Sequence, residues 1–572
     1  MPAKDHELNE LIESIVINGM QLMEKMAKEP AQFFAFIIPI ISLFYHLQAV
    51  LVKIYSRPDK IWPIYLKYAQ DANQLTVDQL ALYIRPLTEG KRGKDNFLKQ
   101  HYDLVATYFN ALITELDYND QSLAKKLEFF AKQFFAALSP DNFLHSNPQL
   151  LITTMTSNGK NLLRGLHNFF NDLQESAGHS LIIKTADFNA FKIGVNIATT
   201  PGKVIYRNEI MELILFAPQT AKVKSIPLLI IPPWINKYYI LDLSKDNSFI
   251  GWLVAQGILV FVISWINPDA KYADIGLDDY LVRGALIAIT IILQQLTITK
   301  VNLLGFCIGG TLLACLLAYL KTCNLNYASS ATFLASMIDF SNSGELDVFI
   351  DEEQIARIET AMIKQGFFPG NIMTTVFNSL RAKELIWTYF VNNYLQGKKP
   401  APFDILYWNA DATNMPARMH SEYLRWLYLN NALVMPDMIK LDKVPIDLNK
   451  IDLPTFFVAT RKDHIAPWEA IYLGLQRLNN SKKRFLLGDS GHIAGIINPP
   501  IKQKYGFYRN LNIYPTSTEW LAHASYHQGS WWPEWFLWLK IQSGRSITCP
   551  KLAALFADAL MDAPGNYVLK KC

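Results

Sequence analysis

Cysteine is scarce in this sequence. Five occur in 572 residues, Cys307, Cys315, Cys323, Cys549 and Cys572, with no C-x-x-C pair. That usage excludes a disulfide-built fold and points to a reducing compartment. Charge is also low, at 18% of residues, where a typical globular chain carries about a quarter. The 54 basic and 50 acidic side chains leave a net charge of +4, which gives no basic footprint for a nucleic-acid partner. There is no Walker A loop, no dinucleotide G-x-G-x-x-G, no H-E-x-x-H and no Cys/His set with zinc spacing, so no metal or redox cofactor is implied. The first residues, MPAKDHELNELIESIV, are acidic where a secretory signal would be positive. One stretch, Pro30 to Val52, carries no Lys, Arg, Asp or Glu and could span a bilayer by length. Gln32, Pro39, Ser42, His46 and Gln48 interrupt it, so a buried or surface-adsorbing helix is expected and no transmembrane anchor.

Apolar residues, by contrast, make up 51% of the chain and aromatics 13%. That excludes a disordered chain and leaves material for a large core. At roughly 100–200 residues per domain, this length suggests two to four domains, or a large domain with an accessory one. Residues 1–185 read as an all-helical N-terminal domain. Leu123, Leu127, Phe130 and Phe134 recur at helical spacing until Ser139-Pro140 ends the run, and Leu162, Leu166, Phe169 and Leu173 repeat the pattern. From about 186 the period changes. A hairpin is expected over 204–218, followed by short apolar runs at 227–231, 258–264, 301–305, 331–336, 454–460 and 484–488. Helix-like stretches separate most of them, which predicts an α/β domain with a mostly parallel sheet over 186–572. Between about 340 and 450 the alternation lapses into a helical, aromatic-rich insertion. The tryptophans Trp520, Trp531, Trp532, Trp535 and Trp538 suit either a core or a surface beside an oily phase.

The strand VNLL leads into GFCIGG (305–310) and then a helix-like TLLACLLAYL. This is the strand–turn–helix context of a nucleophile elbow, G-x-S-x-G, with Cys307 in the serine position. The strained turn needs small residues at Gly305 and Gly309 so that strand and helix can approach. The N–H of Ile308 would face the oxyanion formed on attack. Alone, G-x-C-x-G also describes a small apolar cysteine ahead of a helix. In hydrolase-like sheets, however, an acid and a histidine follow the nucleophile, each just past a later strand. Here Asp463 follows PTFFVAT and His492 follows RFLLG, in that order. Asp489 is the alternative acid, and His464 is read as flanking the site. A second oxyanion donor is expected after PLLII, from an amide near Trp234 or Ile235. A tight loop stiffened by Pro232-Pro233, without that role, fits the same residues. Cysteine in place of serine suits acyl transfer from a coenzyme A thioester better than ester hydrolysis, because exchange between sulfurs is nearly balanced and later transfer to a hydroxyl is downhill.

These residues carry a resemblance. The sequence resembles the polyhydroxyalkanoate (poly-3-hydroxybutyrate) synthases, most closely the class I type, of the α/β-hydrolase superfamily. The matching stretches are PPWINKYYILDL (232–243), GFCIGG (305–310), YWNADATNMP (407–416), DHIAPW (463–468), SGHIAGIINPP (490–500), GSWWPEW (529–535) and APGNYVLKK (563–571), from about 145 to the end. The resemblance implies an α/β-hydrolase-like sheet with a helical cap insertion over about 340–450, preceded by the helical domain. It implies Cys307 as the nucleophile that holds the acyl chain, His492 as general base, and Asp463 as the catalytic aspartate. The aspartate would activate a 3-hydroxyl or, in a plain triad, orient His492. Trp234, Trp408, Asn409 and His464 would flank the site or the substrate channel. The implied substrate is an (R)-3-hydroxyacyl-CoA of short chain, such as 3-hydroxybutyryl-CoA, with no cofactor beyond the coenzyme A it carries. Implied partners are the growing polyester chain, the granule surface, granule-associated proteins and a second copy of the chain, through an N-terminal domain serving dimerisation and granule association. The location would be the cytoplasm, at granules. A cysteine thioesterase or polyester depolymerase on the same scaffold is the alternative. One departure stands out: Ile266 replaces the arginine of the family's SWRNPD.

Overall fold

Runs of Leu, Ile, Val and Phe become central strands here because a strand covered on both faces buries consecutive side chains. The computed structural model describes residues 58–84, 97–115, 121–175, 183–548 and 551–572. A hairpin opens the sheet, with β1 (Gly202–Arg207) and β2 (Met211–Phe216). The central strands are β3 (Leu228–Ile231), β4 (Val260–Trp265), β5 (Val301–Phe306), β6 (Ala328–Leu334), β7 (Thr455–Thr460) and β8 (Lys483–Gly488). Three shorter strands complete it: β9 (Phe507–Asn510), β10 (Ser525–His527) and β11 (Met561–Asp562). Their spatial order is β10-β9-β8-β7-β6-β5-β3-β4-β2-β1-β11. The six central strands run parallel, from β4 through β3, β5, β6 and β7 to β8. Antiparallel strands finish both edges. The chain steps from β3 outward to β4, then returns to place β5 on the other side of β3. Ligand sites of open α/β sheets lie at such a reversal, beyond the carboxyl ends of the strands.

The chain divides into two compact units: residues 1–187 with 375–401, and residues 188–374 with 402–572. The interval 340–450 is therefore shared, with its middle part belonging to the first unit. In that unit the helices are α1 (Pro58–Ile84), α2 (Phe97–Glu115), α3 (Gln121–Ala137), α4 (Pro148–Thr156) and α5 (Lys160–Glu175). Leu127 and Ala131 of α3 pack with Ile113 of α2, as the helical spacing of that region suggests. Along α5 the apolar reading is only partly right. Leu173 is buried, but Leu166 is 40% exposed, and the buried positions include Asn161, Gly165 and Asp172. The reason is close backbone approach: a Cβ on Gly165 would lie 1.7 Å from Tyr394 O. Asn161 Nδ2 donates to Leu395 O at 2.7 Å, and Tyr394 OH donates to Asp172 at 2.7 Å. A helix face that meets another backbone must be small and polar, so hydrophobic periodicity misreads it.

In the second unit, α6 (Ile308–Thr322) follows β5 and is buried along almost its whole length. Four of the late tryptophans, Trp520, Trp531, Trp532 and Trp535, are fully buried, so they belong to the core. Two of these lie in α7 (Trp532–Gln542). Among the described residues no helix is long and apolar enough to cross a membrane. The stretch 30–52 lies outside them.

Candidate active site

β5 ends at Phe306, and Cys307 turns the chain into α6 with φ 52° and ψ −126°. For a residue with a Cβ this is a sparsely populated conformation, sustained only where the surroundings over-determine it. Cys307 N–H donates to Leu334 O at 2.9 Å, and Gly310 N–H donates to Cys307 O at 2.9 Å. The turn is tight enough that a Cβ on Gly309 would fall 2.1 Å from Ile231 O and 2.8 Å from Pro232, so the loop after β3 rests directly on the start of α6. Ile308, the first residue of α6, has no preceding helical turn to accept its N–H. Among the described residues, no bond is made by the amides of Trp234 or Ile235.

Asp463 follows β7, and its side chain is wholly buried. Its Oδ1 accepts the amides of Ile465 and Ala466, both at 2.9 Å. Its Oδ2 accepts Thr460 Oγ1 at 2.9 Å and pairs with His492 Nδ1 at 2.7 Å. His492 follows β8, is 4% exposed, and stacks on Phe306 with ring centroids 5.7 Å apart. Its ring lies near enough to the Cys307 side chain for the two to interact electrostatically. With Nδ1 committed to Asp463, Nε2 is the nitrogen that serves the sulfur. Burial by itself would raise the Asp463 pKa, but the charge and hydrogen bond of His492 and the two amides outweigh it, and the carboxyl titrates below its ordinary range. Burial alone would lower that of His492. Asp463 and then Cys307 outweigh it, and the imidazole titrates well above its ordinary value. Asp463, rather than Asp489, is the acid that meets the histidine.

The loop carrying His492 is braced from the tryptophan cluster. Trp531 Nε1 donates to Gly495 O at 2.8 Å, and Trp532 Nε1 donates to Ile496 O at 2.9 Å. These indoles hold the turn after the histidine, a role the motif GSWWPEW did not reveal. The 232–239 loop is held from the other side. Trp234 packs on Tyr280 at 4.7 Å, and Pro232 O accepts Trp265 Nε1 at 2.9 Å. Trp408 is buried, and its Nε1 donates to Lys237 O at 2.7 Å, so it supports this loop from behind. Asn409 follows it on the same short helix and is half-buried, as is His464 beside Asp463. Ile266 is buried, and its amide donates to Ile210 O at 2.9 Å.

Two groups near the sulfur escaped the sequence reading. Tyr423 and Tyr428 lie on one π-helical segment, Tyr423–Leu429, with Tyr423 OH donating to Tyr428 OH at 3.3 Å. Phe340 packs on both rings. Burial raises both phenol pKa values, and Cys307 adds to the shift of each. Tyr423, Trp234 and Ile308 line one apolar cavity with Leu312, Leu427 and Leu441. Among the described residues no group of three or more His, Cys, Asp or Glu side chains converges as a metal site. A cysteine at an elbow, a histidine beside it and a carboxylate fixing that histidine are the parts of covalent acyl transfer.

The comparisons with known proteins agree with that chemistry. A family model for the N-terminus of poly-beta-hydroxybutyrate polymerase matches residues 91–253, and one for the alpha/beta hydrolase fold matches residues 263–499. A poly(3-hydroxyalkanoate) polymerase of Methylorubrum extorquens is 45% identical over 479 residues, 83% of this chain and 78% of that protein. The polymerase subunit PhaC of Rhizobium etli is 43% identical over 476 residues, 83% of this chain and 74% of its own. That of Cupriavidus necator is 41% identical over 458 residues, covering 79% and 77%. With likeness at this level over most of both partners, the chain belongs to the poly(3-hydroxyalkanoate) polymerase family, and its sheet is an α/β-hydrolase fold.

Proposed function

We propose that this chain polymerises (R)-3-hydroxyacyl-CoA, in short-chain units such as 3-hydroxybutyryl-CoA, into polyester with release of CoA. The observation that carries the reading is a cysteine, not a serine, at the elbow, half-buried ahead of a buried His492–Asp463 pair. His492 Nε2 takes the thiol proton, and the Cys307 sulfur attacks the thioester carbonyl. The amide of Ile308 and one from the 234–235 loop stabilise the oxyanion. Collapse of the tetrahedral intermediate breaks the carbon–sulfur bond to CoA, which leaves with the proton from His492, and an acyl-Cys307 thioester remains. A 3-hydroxyl then gives its proton to His492 and attacks that thioester, so the chain grows by one ester bond and the Cys307 sulfur is released.

Asp463 already accepts four hydrogen bonds, two at each oxygen. That saturation supports a role in orienting His492 and leaves His492 as the base in both half-reactions. Water competes with the hydroxyl at each cycle, and the aromatic wall of buried Tyr423 and Phe340 with half-buried Tyr428 suits its exclusion. In a test with purified protein and 3-hydroxybutyryl-CoA, thiol release and turbidity are followed together. Cys307→Ala is expected to abolish both. Polymer from that variant at the wild-type rate would remove Cys307 from the role, and free hydroxy acid in place of turbidity would make the wild type a hydrolase. The reading includes a homodimer working at the granule surface, with residues 1–100 contributing to attachment. Their deletion is expected to lower the granule-bound fraction on sedimentation, and an unchanged fraction would contradict that part.

A further inference from the structure

The loop that would supply the second oxyanion donor is tied down by a buried ion pair. Lys237 and Asp411 are 2% and 8% exposed at their side chains and meet at 2.7 Å. Tyr239 OH donates to the other carboxylate oxygen of Asp411 at 2.8 Å. Around this pair the segment 408–413 runs along the loop. Trp408 Nε1 donates to Lys237 O at 2.7 Å, Thr413 N–H donates to Ile235 O at 2.9 Å, and Thr413 Oγ1 donates to Trp234 O. Asn236 and Ala412 form an antiparallel bridge, and Cys572 Sγ donates to Ala412 O at 3.0 Å from the far side.

Each carbonyl of the loop from Trp234 to Lys237, Asn236 aside, is thereby claimed by a donor on one side. When a carbonyl is held, the plane of the peptide that follows it is held too, and the amide of Ile235 is fixed opposite to the carbonyl of Trp234. An ion pair is a costly way to obtain stability alone, because desolvating both charges cancels most of their attraction and an apolar pair of the same volume does as well. Its advantage is register: a charge that has one partner tolerates one alignment of the two segments. We propose that Lys237 and Asp411 are positioning residues, which lock the 234–237 loop against residues 408–413 so that its amide faces the oxyanion formed on Cys307. This deepens the acyl-transfer reading and rests on it.

Two reactions of the same sulfur separate this role from a general structural one. Thioester attack builds an oxyanion, whereas alkylation by iodoacetamide displaces iodide at a saturated carbon and builds none. In single-turnover measurements, Asp411→Asn is expected to slow CoA release from 3-hydroxybutyryl-CoA by about 10²-fold, the cost typical of a catalytic group misplaced by about an ångström. Alkylation at Cys307, read on its peptide by mass spectrometry, is expected to stay within about threefold of wild type. Tyr239→Phe, which removes one hydrogen bond and keeps the ion pair, is expected to slow CoA release by about 2- to 10-fold, again sparing alkylation. It decides the matter if Asp411→Asn does not fold. Equal losses in both reactions, or no loss in either, would overturn the proposal. A wild-type protein that is alkylated at Cys307 but releases no CoA would instead overturn the acyl-transfer reading beneath it.

Discussion

At the scale of single residues, the Asp463–His492 pair links chemistry to pH. The Asp463 pKa is lowered in the folded state, so its stabilisation is present above the unfolded value of about 3.9 and is lost as pH falls through the folded one. The His492 pKa is raised, so its share is complete below about 6.5 and is lost as pH rises through the folded value. Both contributions coexist between about pH 4 and 6.5. Asp463→Asn keeps the shape but removes the charge that holds the imidazolium. It is expected to lower the rate of acylation by about 10²- to 10⁴-fold. The gap in melting temperature between wild type and variant should be widest inside that pH window and narrow on either side, and a gap that is flat from pH 3 to 8 would contradict the linkage. The other described cysteines have no comparable setting. Burial pushes the Cys315 thiol up to about 12, which leaves it an inert core residue.

At the scale of elements, the elbow stores strain at the turn from β5 into α6. Cys307 at φ 52° carries a cost of order 1–3 kcal/mol that a residue without a Cβ avoids. Cys307→Gly is therefore expected to unfold at higher urea than Cys307→Ala, with a difference of about 1 kcal/mol, although both lack the sulfur. Equal midpoints would mean the turn is unstrained. The central strands were legible from sequence because a doubly covered strand demands an unbroken apolar run, as in LLII of β3 and TFFVAT of β7. The edge strands FYRN, SYH and MD were not, since such short and largely polar segments are strands only through their partners. Phe507 stacks on His527 across β9 and β10 at 5.3 Å, a contact that exists only after pairing.

At the scale of the whole molecule, the C-terminal tail closes the sheet it follows. β11 pairs with β1, and the fully buried Glu212 of β2 accepts the amides of Asn566 and Tyr567 while meeting Arg207 at 2.6 Å. Farther along, Lys570 pairs with Asp269 at 3.0 Å. Removing residues 560–572 strips Glu212 of two amide donors and leaves a carboxylate partly unpaired in the core. The expected loss is roughly 3–5 kcal/mol of unfolding free energy in a urea titration. A truncated chain as stable as the full one would show the tail to be an appendage. The segment 375–401 teaches the opposite lesson about reach. It reads as part of an insertion in the sheet domain, yet its Asn393 side chain donates to Lys184 O at 2.7 Å and its Tyr394 bonds Asp172. Chain order is a poor guide to membership when a polar helix face receives a distant backbone.

The parallel sheet, the strained cysteine turn and the order Cys307, Asp463, His492 follow from local patterns: apolar period, glycine beside the cysteine, and a strand end before each polar group. It takes the folded chain to bring Asp463 to the histidine and to give its carboxylate four hydrogen bonds, two at each oxygen. The fold likewise makes Trp408 support a loop, lets Trp531 and Trp532 brace the histidine turn, and sets Tyr423 and Tyr428 where the sulfur's charge is felt. Those assignments depend on which remote segments share a few ångströms of dry space. Hydrogen bonds and desolvation act through space, so no local pattern in the chain encodes them.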